Sequence, residues 1–231
     1  MHSVERDIMV GMVDILNKSF EKAILTEEQH NTRLAELTEF ERETNFMFLN
    51  SPNCPIDLQS VIEVSNNTQN INECNNIEEI IKFANQRDML VYVDIEGANM
   101  SITYTDGILT KIIVDNLLID IKKIYNIPYK INNKGTYTVQ GKVFTQDKTK
   151  LIIHNVIKDG GTNLKKDLGE AKDLGFDIVS NWLATNFNPK NLQGNIDYIF
   201  EYAADEELPC IGIVFKYNNI SYSNDKIVYK I

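Results

Sequence analysis

The chain has 231 residues, 43% of them hydrophobic and 24% charged, which is ordinary for a globular protein and enough for one large or two small domains. Its 23 basic and 33 acidic residues leave a formal net charge of −10, so it binds a phosphate backbone poorly on its own unless its basic residues gather on one face. No apolar run approaches the roughly 20 residues of a membrane helix, and Cys54, Cys74 and Cys210 are too scattered for a disulfide framework or a zinc site.

The N-terminus mixes acids with its apolar residues and lacks a basic leader, which argues against a secretory signal and for a cytoplasmic protein. Residues 4–23 have the spacing of an amphipathic helix, with Ile8, Met12, Ile15, Leu16 and Phe20 on one stripe. Thr26 followed by Gln29 is a capping-box pattern and opens a second helix, whose Leu34, Leu37 and Phe40 face inward. The two prolines of LNSPNCPID end it. Residues 51–75 are polar, rich in asparagine and irregular; Asn76 then caps a short helix, IEEIIKFANQ.

From Met89 the apolar period changes to two. LVYVDIEG, ANMSITYTDGIL, TKIIV, GTYTVQGKVFT, TKLIIHNVI, CIGIVFKYN and DKIVYKI are strands rich in β-branched and aromatic residues, and Thr105-Asp106-Gly107 makes a hairpin turn. Helices are expected at about 116–124, 164–174 and 190–203. Trp182 and Phe187 are expected to be core or loop-anchoring aromatics, and the acids at 205–207 a solvated helix end. Runs of strands beside runs of helices make the fold α+β.

Several phrases resemble, in order, the adenylation region of NAD-dependent DNA ligases. TEEQHNTRLAELTEFERE with NSPNCPI is similar to that family's second helix and the Ser-Pro turn after it. DIEGANMSITYTDGIL resembles the strand and hairpin that usually begin Lys-x-Asp-Gly. DNLLIDIKKIYNIP, TVQGKVF, LGEAKDLGFDIV, LPCIGIVFKYN and IVYKI are similar to the segments that follow. The resemblance implies a small helical unit with its linker over 1–66 and a nucleotidyltransferase-like domain of antiparallel sheets flanked by helices over 67–231, with no oligonucleotide-binding domain. It implies NAD or another adenine nucleotide as cofactor, and Glu96, His154, Lys216 and Lys230 as what is left of an adenylate pocket.

The departures from that pattern fall on its chemistry. Asp94 stands where the family keeps the lysine that becomes adenylylated, and a carboxylate cannot form the lysyl phosphoramidate. Gln140 stands for an arginine, Lys142 for a glutamate, Ile211 for an acid, and His154 for the tyrosine that stacks on adenine. Thr26-Glu27 and His30-Asn31 replace the pairs that contact the nicotinamide half. Gly97, Gly141 and Gly212 are kept, as scaffold positions. No catalytic residue and no metal ligand is expected. The expected role is a binding or regulatory subunit that joins protein partners in a replication, repair or transcription assembly, with weak or no direct DNA binding and no membrane association. Viral or phage origin, and so a host cytoplasm, is a natural source for such a shortened chain. Two other readings stay open: an active nucleotidyltransferase in which Lys142 has become the nucleophile, and an adaptor whose pocket is unused. If nothing binds there, the Asp94/Lys142 exchange would simply keep a salt bridge.

Overall fold

The computed structural model describes residues 3–22, 24–64, 72–115, 119–145, 149–161, 163–185, 188–219 and 225–230. Two helices come first, α1 (Ser3–Lys22) and α2 (Glu27–Thr44). The capping box forms as its residues dictate: the Gln29 N–H donates to Thr26 Oγ1 at 3.2 Å, and the Thr26 N–H donates to Gln29 Oε1 at 3.0 Å. The helices meet through Met9, Val13, Leu16 and Leu37, with Phe46 and Phe48 closing the cluster.

This corrects the expected face of α1. Leu16 is buried, but Ile8 and Ile15 are 48% and 49% exposed and Met12 is only half-buried. The helix is apolar at 8, 9, 10, 12, 13, 15 and 16, so more than one stripe is available, and contact with α2 selects the one through Met9 and Val13. The Phe20 side chain lies outside the described residues.

The 51–75 region is not wholly irregular. It holds a one-turn helix α3 (Leu58–Val61) and two three-residue strands, β1 (Ile62–Val64) and β2 (Asn72–Cys74). Asn76 caps α4 (Ile77–Ala84) by accepting from the Glu78 N–H at 2.9 Å. Next come β3 (Met89–Ile95), β4 (Ala98–Thr105) and β5 (Ile108–Val114). The β4–β5 turn has Asp106 at φ 50° and Gly107 at φ 81°, the paired positive φ of a hairpin turn whose twist matches its strands. In the expected 116–124 helix, residues 116–118 lie outside the described set and the rest is a single 3-10 turn, Ile121–Lys123.

The chain continues through β6 (Thr136–Thr145), β7 (Thr149–Lys158), α5 (Leu164–Asp173), β8 (Asn181–Ala184), α6 (Pro189–Asp205), β9 (Cys210–Tyr217) and β10 (Lys226–Lys230). Trp182 lies on β8, partly buried against the core of the second sheet; Phe187 lies outside the described residues.

The described strands form two five-stranded sheets, ordered β1-β5-β4-β6-β7 and β2-β10-β9-β3-β8. The architecture is α+β. The sheets are mixed rather than purely antiparallel, because β1 runs parallel to β5 and β2 parallel to β10. Each sheet has its own apolar core. The first buries Ile102, Tyr104, Tyr137, Val139 and Ile153 against α5, and the second buries Val91, Val93, Ile213 and Phe215 against α4 and α6.

The three glycines hold backbones close together. A Cβ at Gly97 would stand 2.4 Å from the Val143 carbonyl oxygen, at Gly141 2.3 Å from that of Ile152, and at Gly212 2.7 Å from that of Tyr229. Real side chains do not tolerate such approaches, so glycine there is a requirement of strand pairing. Among the described residues, no helix is long and apolar enough to cross a membrane.

Candidate functional site

The two sheets face each other across a cleft of about 590 Å³, within the size range of small-molecule sites. One wall is β3, β9 and β10 of the second sheet, and the other is β4 to β7 of the first. Alternation along β3 turns Tyr92 and Asp94 toward this space. Asp94 is only 7% exposed and lies opposite Gly212, just where a bulge shifts the β3–β9 register. Bulges of this kind re-aim side chains.

Four of the residues singled out from the sequence converge there. Asp94, Lys142 and His154 line one narrow gap together with Tyr92 and Lys226, and Lys216 lines the open cleft next to it. The exchanged pair does share a space, but no ion pair closes between Asp94 and Lys142 among the described residues. Lys142 Nζ instead lies 3.5 Å from the Gly97 carbonyl oxygen. Preservation of a salt bridge therefore does not explain the exchange. Glu96 is exposed beyond the end of β3. Lys230 pairs with Glu73 at 3.3 Å on the outer part of its sheet. Cys210 is half-buried, with its thiol pushed up by burial. His30 is half-buried on α2.

Lys216 is 5% exposed, and its Nζ donates to Asn155 Oδ1 at 2.8 Å; Asn155 Nδ2 in turn donates to Gln140 Oε1 at 2.7 Å. Burial and then the charge of Lys226 lower the Lys216 ammonium to a pKa of about 8. Lys226 is lowered chiefly by burial, with Asp94 opposing that shift and Lys142 and Lys230 adding to it. Lys142 and Lys226 thus share the gap with one buried carboxylate, and Lys216 stands beside Lys226 in the open cleft. Asp115 and Asp225 stand at the mouth, Asp115 already accepting from the Asn99 N–H at 2.9 Å.

Tyr92 and His154 form the remaining feature. Their rings stack at 5.9 Å with 9° between planes. Burial, followed by Lys226, Lys216 and Lys142, lowers His154 to a pKa of about 3, so the imidazole is neutral at physiological pH. His154 Nδ1 and the Tyr92 hydroxyl are both buried without a hydrogen-bond partner. Such orphans cost free energy unless a water or a ligand meets them. The gap these rings leave behind Asp94 is about 10 Å³, enough for at most one water. The gap is too small for a nucleotide, and the open cleft is the larger of the two spaces. Among the described residues, no group of three or more His, Cys, Asp or Glu is placed to hold a metal ion.

Sequence reasoning missed Lys226, Tyr92 and Asn155. Lys226 carried one signal: it is four residues before Lys230 on a strand, hence on the same face. Its pairing with Lys216 across β9 and β10 comes only from the register.

No protein-family model and no curated protein sequence matches the chain. Among solved structures, it is similar to an Aquifex aeolicus protein assigned as an ATP-dependent DNA ligase, with 12% identity and a TM-score of 0.48 over 71% of this chain and 49% of that one. It is also similar to a Naegleria gruberi RNA ligase solved with AMP and Mn, with 12% identity and a TM-score of 0.46 over 71% of this chain and 55% of that one. The chain spans about half the length of these proteins.

Proposed function

We propose that this chain is a ligase-like nucleotidyltransferase relative that has exchanged catalysis for binding, and that its inter-sheet cleft takes a phosphate-bearing ligand, with an adenine nucleotide or NAD the leading class. The observation that carries this reading is the row of lysines along the cleft and its gap, Lys142 and Lys226 beside the buried carboxylate Asp94 and Lys216 paired across the strands with Lys226, in a protein of net charge −10. Burying the Lys216 and Lys226 ammonium groups together costs free energy, and an anion in the cleft offsets that cost by restoring these two toward their ordinary pKa. The ordered resemblance of the sequence to ligase adenylation regions supports the nucleotide class. Asp94 offers no amine to a phosphorus atom, and Lys142 faces a gap too small for a phosphate. Nucleotidyl transfer depends on placing the attacking atom closely, so a lysine there is poorly set for attack. The role in a larger nucleic-acid assembly, and the partners that role needs, belong to the same proposal.

The test pairs intact mass with thermal stability after incubation with NAD or ATP and magnesium, with inorganic phosphate as the comparison. The expected result is an unmodified mass and a Tm that rises with nucleotide concentration, since a ligand that binds only the folded state stabilises it by mass action. An AMP adduct that vanishes in Lys142→Ala would overturn the reading and make Lys142 the relocated nucleophile. An unmodified mass with no Tm response to any of the three would overturn it in favour of an adaptor with an unused cleft.

A further inference from the structure

A second cavity, of about 1070 Å³, is bounded by α1, the 173–181 segment, β8 and α6. It meets the narrow gap through Ile95, Ile152 and Val179, so it lies on the opposite side of that gap from the inter-sheet cleft. Its wall carries an aromatic cluster. The Trp182 ring stands 6.0 Å from that of Tyr198 at 90° and 5.2 Å from that of Tyr202 at 77°. Tyr198 and Tyr202 are four residues apart on one face of α6, and Glu206, the C-cap, follows four residues on. The Tyr202 hydroxyl is held by Ser180 at 2.6 Å, while Tyr198 is 55% exposed.

The end of α6 compounds this. Between 197 and 207 the chain has five acids and no base. Asp205, Glu206 and Glu207 stand at the helix C-terminus, where the macrodipole disfavours negative charge, and the last turn carries no basic residue to offset them. Glu201, Asp205 and Glu206 form no ion pair among the described residues. Wet aromatic rings and misplaced acids both run against folding stability, and departures of that kind cluster at functional surfaces. The basic groups of the cavity, Arg6, Lys150 and Lys172, come from elements other than α6, and two are engaged: Arg6 pairs with Asp177 at 2.6 Å, and Lys150 lies over the Phe144 ring at 5.1 Å. The α6 side is the acidic pole.

We propose that this cleft docks a basic segment of a protein partner, which inserts a lysine or arginine side chain among Trp182, Tyr198 and Tyr202 with Glu206 at the rim. Ring faces attract cations, and perpendicular rings beside a carboxylate favour a cation over a neutral group. Charge complementarity selects this occupant: the acidic pole repels the phosphates of a nucleic acid. Among the described strands β8 ends its sheet, so its outer backbone edge offers a line for an extended segment to follow. The site does not depend on the inter-sheet cleft or on nucleotide binding.

Trp182 is the only tryptophan of the chain, so its fluorescence reports on this cleft. The experiment titrates the full chain with an oligolysine peptide, an oligoglutamate peptide and oligodeoxythymidylate at physiological salt. A saturable change with oligolysine alone is expected, with affinity about tenfold weaker in Tyr198→Leu and in Glu206→Gln. Tyr198→Leu leaves the net charge unchanged at an exposed position, so general attraction to an acidic protein would survive it. Undiminished affinity in Tyr198→Leu would overturn the proposal. So would the absence of a saturable change, or a response to oligodeoxythymidylate in place of oligolysine.

Discussion

Lys216 of β9 and Asn155 of β7 join the two sheets directly, through a hydrogen bond of 2.8 Å from Nζ to Oδ1. The strands belong to different sheets, and the residues are 61 positions apart. Asn155 is fixed from its other side by Gln140, so the ammonium is aimed by a chain of three side chains. This arrangement holds a cation at the cleft at a cost in folding stability.

Lys216→Met removes the cation and keeps the volume. The folded-state pKa of Lys216 is about 8 against an ordinary lysine value of 10.5, so the folded state resists protonation. The corresponding stability is fully present above pH 10.5 and is lost as pH falls through 8, amounting to about 3 kcal/mol at neutral pH before the lost hydrogen bond is deducted. Urea unfolding at neutral pH and at pH near 10 should therefore show wild type gaining on the variant as pH rises. Parallel pH dependences would mean that Lys216 carries no such strain. Anion binding to the cleft should strengthen as pH falls through 8, and this dependence should vanish in Lys216→Met.

His154→Gln tests the other buried base. His154 counts as half-buried overall, yet its Nδ1 reaches neither solvent nor a partner, and the buried nitrogen governs its titration. Its pKa is lowered from 6.5 to about 3, by burial first and the three lysines second. Stability tied to the neutral ring is complete above pH 6.5 and is lost as pH falls through 3. The variant should lose stability less steeply than wild type between those values. Equal acid sensitivity, followed by circular dichroism, would show that His154 is not the group that charges on acid unfolding.

Asp177 ties the helical pair to the sheets. Its Oδ1 accepts from Arg6 of α1 at 2.6 Å, and its Oδ2 accepts at 2.8 Å from Asn126, whose amide also donates to the Leu151 carbonyl. Arg6 and Asp177 are 21% and 31% exposed, so the pair is only moderately screened. Asp177→Asn should cost about 1–2 kcal/mol, because it removes the charge that Arg6 faces in a part-buried position. Hydrogen exchange should speed up along α1 and remain unchanged along β3. A uniform effect on both would place the loss in global stability rather than in docking.

The sequence disclosed what local rules control and hid what only distant pairing decides. β3 through β7, β9 and β10 were legible because β-branched and aromatic residues alternate along them over several positions. The caps at Thr26 and Asn76 were legible because each is written within four residues. β1 and β2 were hidden, since three-residue strands have no period to detect and both pair in parallel with strands far along the chain. The face of α1 could not be chosen without α2. At the site, Asp94, Lys142, His154 and Lys216 stood out as departures from a pattern, which marks where chemistry has changed. Lys226 and Asn155 break no pattern. Their importance exists only in the register of β9 with β10 and in the approach of one sheet to the other.

Tyr92→Phe separates the folding role of the inter-sheet cleft from its binding role. The Tyr92 ring is 3% exposed and stacks on His154, so the aromatic packing is worth keeping, and phenylalanine keeps it. The hydroxyl has no partner, and burial with the nearby Asp94 charge pushes its pKa well up, so it remains a neutral, unused donor. A buried polar group left unsatisfied costs about 1–3 kcal/mol, and deleting it returns that amount to the ligand-free protein. The variant should therefore melt at a higher temperature than wild type when no ligand is present. If the hydroxyl waits for the ligand that the lysines attract, the same change should reduce the stabilisation given by a nucleotide. A variant that is more stable alone and less stabilised by nucleotide fits a site kept for binding at the expense of folding. A variant destabilised without ligand would show that the hydroxyl already has a partner in the folded protein, and the orphan donor would cease to support a ligand there.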